Sequence, residues 1–146
     1  MISSYIYSSK SEMSFDSKAL HQLQALAQKE NKKHNITGYL TYKNDHFIQY
    51  IEGPESAIEQ LITNLKKDNR HQIVKSYALP IKGNRVFKSW NMRYIEYNDL
   101  VEIGFHELLE TVFFTVNNKL FSDEEISNKI ERMLNKISIS LDNIVN

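Results

Sequence analysis

In the run FIQYIEGP, residues 47–54, β alternation puts Gln49 in register with Phe47 and Ile51, so a carboxamide points into an otherwise apolar face. An amide has two donors and an acceptor to satisfy, and leaving such groups unpaired in a core costs about 1–3 kcal/mol each. Something polar must therefore sit opposite Gln49. A neighbouring side chain such as Tyr7 is the simplest partner, and a place near a sheet edge would also serve. Tyr7 on its own reads as an amphipathic core tyrosine whose hydroxyl is tied off. The remaining candidates are weaker. His21, His34, His46, His71 and His106 are dispersed, with no partner at metal-ligand spacing, and read as surface or turn residues. Glu124 and Glu125 fall in a helix first turn, where carboxylates complement the dipole. Lys32, Lys33 and His34, like Lys66 and Lys67, close helices and read as solvated ends rather than phosphate sites. No nucleophile elbow, P-loop, zincin, dinucleotide or EF-hand pattern occurs.

The elements that must position these groups follow from periodicity. Residues 1–9 alternate as a strand, with Tyr5 and Tyr7 on one face and Ile2 and Ile6 on the other. From a cap at Ser14 or Asp16, the apolar residues Phe15, Ala19, Leu20, Leu23, Leu26 and Ala27 recur at helical spacing to about Lys32. NITGYLTY and FIQYIEG form two strands joined by a tight turn at Lys43, Asn44, Asp45 and His46, since Asn and Asp tolerate positive φ. Pro54 suits a helix start, and Ile58, Leu61, Ile62 and Leu65 form the next stripe. Residues 72–81 and 88–97 read as strands four and five, with Trp90, Met92 and Tyr94 alternating onto one face of the latter. The order βαββαββ predicts an α+β, ferredoxin-like sandwich: a mostly antiparallel five-stranded sheet with two helices on one face. Two C-terminal helices, over 105–117 and from the capping box at Ser122 and Glu125, are placed to cover the other face or to pair with a partner.

Composition bounds the rest. The 146 residues suit one compact core, and the absence of cysteine excludes disulfides, thiolate nucleophiles and zinc ribbons. Lys and Arg number 18 against 18 Asp and Glu, which gives no footprint for nucleic acid or a membrane surface. Without a long apolar run or a basic-then-apolar leader, the chain reads as soluble, unprocessed and cytoplasmic.

Taken in order, IYSS (6–9), the helix end at Asn31 with NITGYL (35–40), FIQYIEGP (47–54), DNRH (68–71) and the pair Trp90 and Met92 carry more than their separate chemistries. Over residues 1–97 the chain resembles the BLUF domain, a blue-light sensor that binds FAD. The resemblance implies a flavin ring lying between the two helices against the sheet. It makes Tyr7 the photoactive tyrosine, Gln49 the switch glutamine and Asn31 the asparagine that hydrogen-bonds the ring. Trp90 and Met92 become the switch-associated pair. Asp68, Arg70 and His71 become a polar segment beside the ribityl and phosphate end. Ala27, Glu30 and Asn35 depart from the family's pattern, Asn35 standing where glycine is usual. FAD is expected to be non-covalent, with FMN or riboflavin as the other admissible flavins.

By the same resemblance, residues 1–97 form the sensor and 98–146 a helical extension that carries the output. With no effector segment recognisable after residue 97, the signal is expected to pass to a separate downstream protein, or through homo-oligomerisation by the C-terminal helices or the sheet face. No enzymatic turnover is expected. Two other readings stand beside this one. The first is a ligand-binding or dimerising α+β module in which Tyr7 and Gln49 merely satisfy each other. The second is an acylphosphatase-like hydrolase, disfavoured because Ser8, Ser9 and Lys10 stand where a Gly-rich phosphate loop would be needed.

Overall fold

A computed structural model describes residues 1–12, 14–68, 71–88, 91–96, 98 and 122–142. The chain divides into two compact units, Met1–Glu96 and Tyr97–Asn146.

The first unit runs β1 (Ile2–Ser11), α1 (Ser17–Lys33), β2 (Thr37–Lys43), β3 (His46–Pro54), α2 (Glu55–Lys67), β4 (His71–Lys82) and β5 (Asn91–Tyr94). The strands form one sheet in the order β4-β1-β3-β2-β5. Three of its pairings are antiparallel and the β2/β5 pairing is parallel. This is the α+β, mostly antiparallel sandwich that the element order predicts. Strand β3 lies in the middle, so Gln49 is nowhere near an edge.

Local chemistry sets the boundaries. Helix α1 begins behind Asp16, whose Oδ1 accepts the Ala19 N–H at 2.7 Å. That side chain meets one of the orphan amides of the first turn, as Asp does at many helix starts. Ser14 is not the cap: its hydroxyl donates to Asp45 Oδ1 at 2.9 Å. The same carboxylate accepts the Tyr42 hydroxyl at 2.8 Å, and the Phe15 N–H donates to Tyr42 Oη at 3.1 Å, so the β2/β3 hairpin is tied to the start of α1. The hairpin turn has φ of 52° at Asn44 and 63° at Asp45, the left-handed pair that matches the twist of a two-residue connection. Just past the C-cap of α1, Asn35 has φ 59°, a left-handed position that asparagine occupies more readily than most residues. That conformation explains how Asn35 serves where a glycine is usual.

One face of the sheet carries the core made with the helices. Leu40, Phe47, Ile51 and Met92 pack there with Leu20 and Ile58, while Tyr5, Leu23, Ala27, Leu61, Ile62 and Tyr94 join at the margin. The opposite face is also buried: Ile6, Tyr39, Ile48 and Tyr50 are inaccessible or nearly so. Phe87 sits edge-on to both Tyr39 and Tyr50, with centroids 5.5 Å away in each case.

Strand five differs from its sequence reading. Among the described residues it spans Asn91–Tyr94, against the expected 88–97, and its pairing with β2 slips between Gly38 and Tyr39. Met92 is the extra residue at that slip, with φ 74°, a conformation unusual for a residue that carries a Cβ. Plain alternation therefore does not run through the strand, although Met92 and Tyr94 both reach the helix-side core. Trp90 lies outside the described residues, as does the helix expected over 105–117.

In the second unit, α3 (Asp123–Asp142) starts at the expected capping box. The Glu125 N–H donates to Ser122 Oγ at 3.2 Å, and the Ser122 N–H reaches back to Glu125 Oε1 at 3.4 Å. Ile130, Leu134 and Ile137 form its buried stripe, while Ile139 is exposed.

Gly38 is a point of close backbone approach in the sheet. Its φ is 149°, and a Cβ there would lie 1.9 Å from the Tyr50 carbonyl oxygen. Backbone cannot yield as a flexible side chain does, so Gly38→Ala is expected to destabilise the fold by about 3 kcal/mol or more. Chemical denaturation of the variant checks this, and a midpoint like that of the parent would contradict it.

Candidate functional site

Strands β1 and β3 are antiparallel neighbours whose register makes Tyr7 and Gln49 direct partners. Direct partners share a face, so the two side chains meet beneath the helices. The Tyr7 hydroxyl donates to Gln49 Oε1. The other end of the amide, Nε2, donates to Met92 Sδ at 2.9 Å. The orientation of the amide follows from chemistry: a thioether only accepts, so the amino end faces Met92 and the carbonyl end is left for the phenol.

Tyr7 is buried, with Tyr5 beside it at a ring-centroid distance of 6.0 Å. Burial, helped by the neighbouring Tyr5, pushes the Tyr7 phenol well above its ordinary range. It is thus a neutral hydroxyl throughout the physiological range, with its proton fixed on the bond to Gln49. Gln49 is half-buried among Leu40, Phe47, Ile51 and Met92. Among the described residues its amino group donates to a sulfur, and thioethers are poor acceptors. The site is therefore a polar pair with one weakly engaged end, set in an apolar floor.

The other residues singled out in the sequence are placed more loosely. Asn31 is buried at the last turn of α1, and its backbone carbonyl accepts the N–H groups of His34 and Ile36. Asp68 closes α2 as its C-cap, with its N–H donating to the Leu65 carbonyl at 3.3 Å. His71 opens β4, with its backbone paired to Ser11. Arg70 and Trp90 lie outside the described residues. Glu30 is exposed and pairs with Lys33 at 3.3 Å. His21 and His46 are also exposed and engage local carbonyls, those of Ser17 and Asn44. The structure thus brings Tyr7, Gln49 and Met92 into direct contact.

Sequence reading passed over two residues on the opposite face. Glu52, in the same strand as Gln49, has 0% exposure, and its carboxylate accepts the Val86 N–H at 2.7 Å. Arg85 donates to Thr37 Oγ1 at 2.8 Å and to the Glu52 carbonyl at 3.1 Å. The clue for Glu52 was of the same kind as for Gln49: a polar side chain within a strand, in register with Ile48 and Tyr50.

With this geometry in view, comparison with known proteins is direct. The dark-state structure of BlrB, a BLUF protein, superposes with a TM-score of 0.65 at 27% identity, covering 95% of this chain and 96% of that one. An α+β light-sensor fold is the class this defines. The sequence model of the family BLUF, sensors of blue-light using FAD, matches residues 2–93, and the chain belongs to that family. Photoactivated adenylate cyclase subunit alpha of Euglena gracilis is 37% identical over 71 residues, which are 48% of this chain and 7% of that protein. The blue light- and temperature-regulated antirepressor BluF of Escherichia coli (strain K12) is 25% identical over 116 residues, which are 77% of this chain and 27% of that protein. The chain spans less than a third of the length of these relatives.

The family's cofactor is FAD, and the residues present suit it. A flavin offers a flat apolar body and one edge of hydrogen-bonding atoms. Here the side chains packed on the sheet core, Leu23, Ala27, Leu61 and Ile62, remain half exposed, and the half-buried amide of Gln49 lies on the same face of the sheet.

Burial also pushes the phenols of Tyr39 and Tyr50 well upward, Tyr50 with added repulsion from Glu52. A folded-state pKa above the unfolded value of about 10 means the contribution of each phenol is intact below that pH. It is lost as pH rises further, because the unfolded chain then releases protons that the folded one retains. The melting temperature is expected to hold up to about pH 10 and to fall steeply above it. Melting scans across this range check the sign, and a flat profile to pH 11 would contradict it.

Proposed function

We propose that this chain is a blue-light receptor that holds FAD non-covalently and reads light through the Tyr7, Gln49 and Met92 relay, with no turnover of its own. The Tyr7 hydroxyl donating to Gln49 Oε1, while Gln49 Nε2 rests on a weak acceptor, is the observation that carries this reading. Bound FAD supplies absorption of blue light and, once excited, a strong electron acceptor.

Tyr7 supplies an electron and a proton without forming a covalent bond. Its neutral phenol, with the proton already directed along a hydrogen bond, suits that role. Gln49 supplies the memory. An amide has unlike ends, so rotation or tautomerisation exchanges donor for acceptor at fixed positions. After the exchange Met92 no longer faces the original amino group, and the bulge that holds it must adjust. Asn31, buried at the end of α1, is assigned to the flavin ring. Asp68, Arg70 and His71 are assigned to the ribityl and phosphate end, and Trp90 to the switch beside Met92.

The output is assigned to residues 98–146, which follow β5 directly and whose helices would cover the second face of the sheet or pair with a second copy. The relatives named for adenylate cyclase and antirepressor activity are much longer proteins, which favours a modular arrangement with the effector outside this sensor. We assign the output to a downstream protein in the cytoplasm, with homo-oligomerisation as the alternative route. Among the described residues, no helix is long and apolar enough to cross a membrane.

Purified protein is expected to be yellow, and blue light to shift its flavin bands reversibly to the red. Tyr7→Phe and Gln49→Leu should each retain FAD and abolish the shift, and a full light response in either would defeat the assigned roles. Asn31→Ala should lower the flavin-to-protein absorbance ratio of purified material at least severalfold, since one hydrogen bond is worth about 1 kcal/mol. An unchanged ratio would remove Asn31 from the pocket. Colourless protein after FAD is supplied would favour the non-photochemical binding module.

A further inference from the structure

Glu52 lies three residues beyond Gln49 on β3 and faces the opposite side of the sheet. A carboxylate with no exposure is costly unless it is well bonded. Here it accepts the Val86 N–H at 2.7 Å on each oxygen, the Phe87 N–H at 3.3 Å and the Tyr50 hydroxyl at 3.2 Å. Hydrogen bonds to a charged acceptor are stronger than those between neutral groups. Arg85 reinforces them from the same connection, donating to Thr37 Oγ1, to the Glu52 carbonyl and to the Asn35 carbonyl at 2.5 Å. Phe87 is 2% exposed and seated on Tyr39 and Tyr50. Residues 85–87 are thereby pinned to β2 and β3 on the side away from the helices.

Met92 follows only five positions after Phe87, and five residues reach at most about 18 Å. It belongs to the core on the helix side, where Gln49 Nε2 holds its sulfur. One strand, β3, therefore holds the same stretch of chain twice, through Glu52 on one face and through Gln49 on the other. An apolar side chain at position 52 could fill the space. Only an acceptor can fix the peptide planes of Val86 and Phe87.

We propose that Glu52 is a positioning residue for the Gln49 and Met92 contact: by holding the Val86 and Phe87 amides it sets where β5 begins and keeps the strained Met92 against the switch amide. The consequence for the light response rests on the function proposed above; the consequence for Met92 does not.

The test uses Glu52→Gln, which keeps the volume but turns one acceptor into a donor facing the two amides. In flavin-free protein, amide exchange at Val86 and Phe87 should accelerate about tenfold, as expected for a lost hydrogen bond, and the Met92 ε-methyl NMR resonance should move or split. In FAD-loaded protein, the return from the red-shifted state should be severalfold faster, with the shift itself retained. Faster exchange with an unmoved Met92 resonance and a parental return rate would make Glu52 merely structural and overturn the proposal, as would unchanged exchange. Arg85→Met loosens the same connection with the carboxylate in place. It is read by the same measurements and decides the matter if the Glu52 variant does not fold. Parental protein that binds FAD and shows no light-induced shift would sink the proposed function, while the Met92 resonance in the flavin-free variant would still judge Glu52.

Discussion

Tyr7 and Gln49 meet because β1 and β3 are antiparallel neighbours in a register that makes them direct partners. Side chains alternate along a strand with a period of two, so a slip of one residue would send the amide to the far face and separate it from the phenol. Much of the first unit helps to enforce that register. The left-handed turn at Asn44 and Asp45 fixes β3 against β2. The Asp45 carboxylate gathers Tyr42 and Ser14 and so ties the hairpin to the start of α1. Gly38, with no side chain, admits the close approach of the Tyr50 carbonyl.

The two faces of the sheet differ in their chemistry. Toward the helices it presents aliphatic and aromatic side chains with one polar pair, Tyr7 and Gln49, among them. Toward the other side it carries a buried carboxylate and two buried phenols whose proton affinities are raised by loss of water. Hydrogen bonds buried in this way are strong, and they are specific because each group has few alternatives. Gln49 is the exception. Its amino end rests on sulfur, a contact that can be exchanged at small cost, and that weakness is what a switch requires. Met92 adds a second soft point, since its positive φ is a conformation that a residue with a Cβ keeps only under constraint from its surroundings.

Much of this was legible in the chain. Alternation and helical spacing placed the strands, the two helices and the capping box at Ser122, because these patterns report local geometry. The misplaced polarity of Gln49 pointed to the site, and spaced landmarks shared with the BLUF family named its chemistry. The ends of β5 were not legible. Its residues alternate well enough to suggest a strand from 88 to 97, but a bulge depends on the partner strand, and nothing near Met92 in sequence announces a left-handed backbone. Ser14 and Asp16 looked equally able to cap α1. The choice between them was made by Asp45, 31 residues from Ser14, which took the serine hydroxyl for itself.

By itself, then, the sequence determined which residues form strands and helices, which faces are apolar and which polar groups would need partners, since each depends on neighbours within a few positions. Tertiary structure decided which partners were found: Tyr7 and Met92 for Gln49, and the Val86 and Phe87 amides for Glu52. Those choices turn on strand order and register, which bring together groups more than 30 residues apart. No local pattern encodes that proximity, because the same alternation would fit any register that kept the apolar face inward.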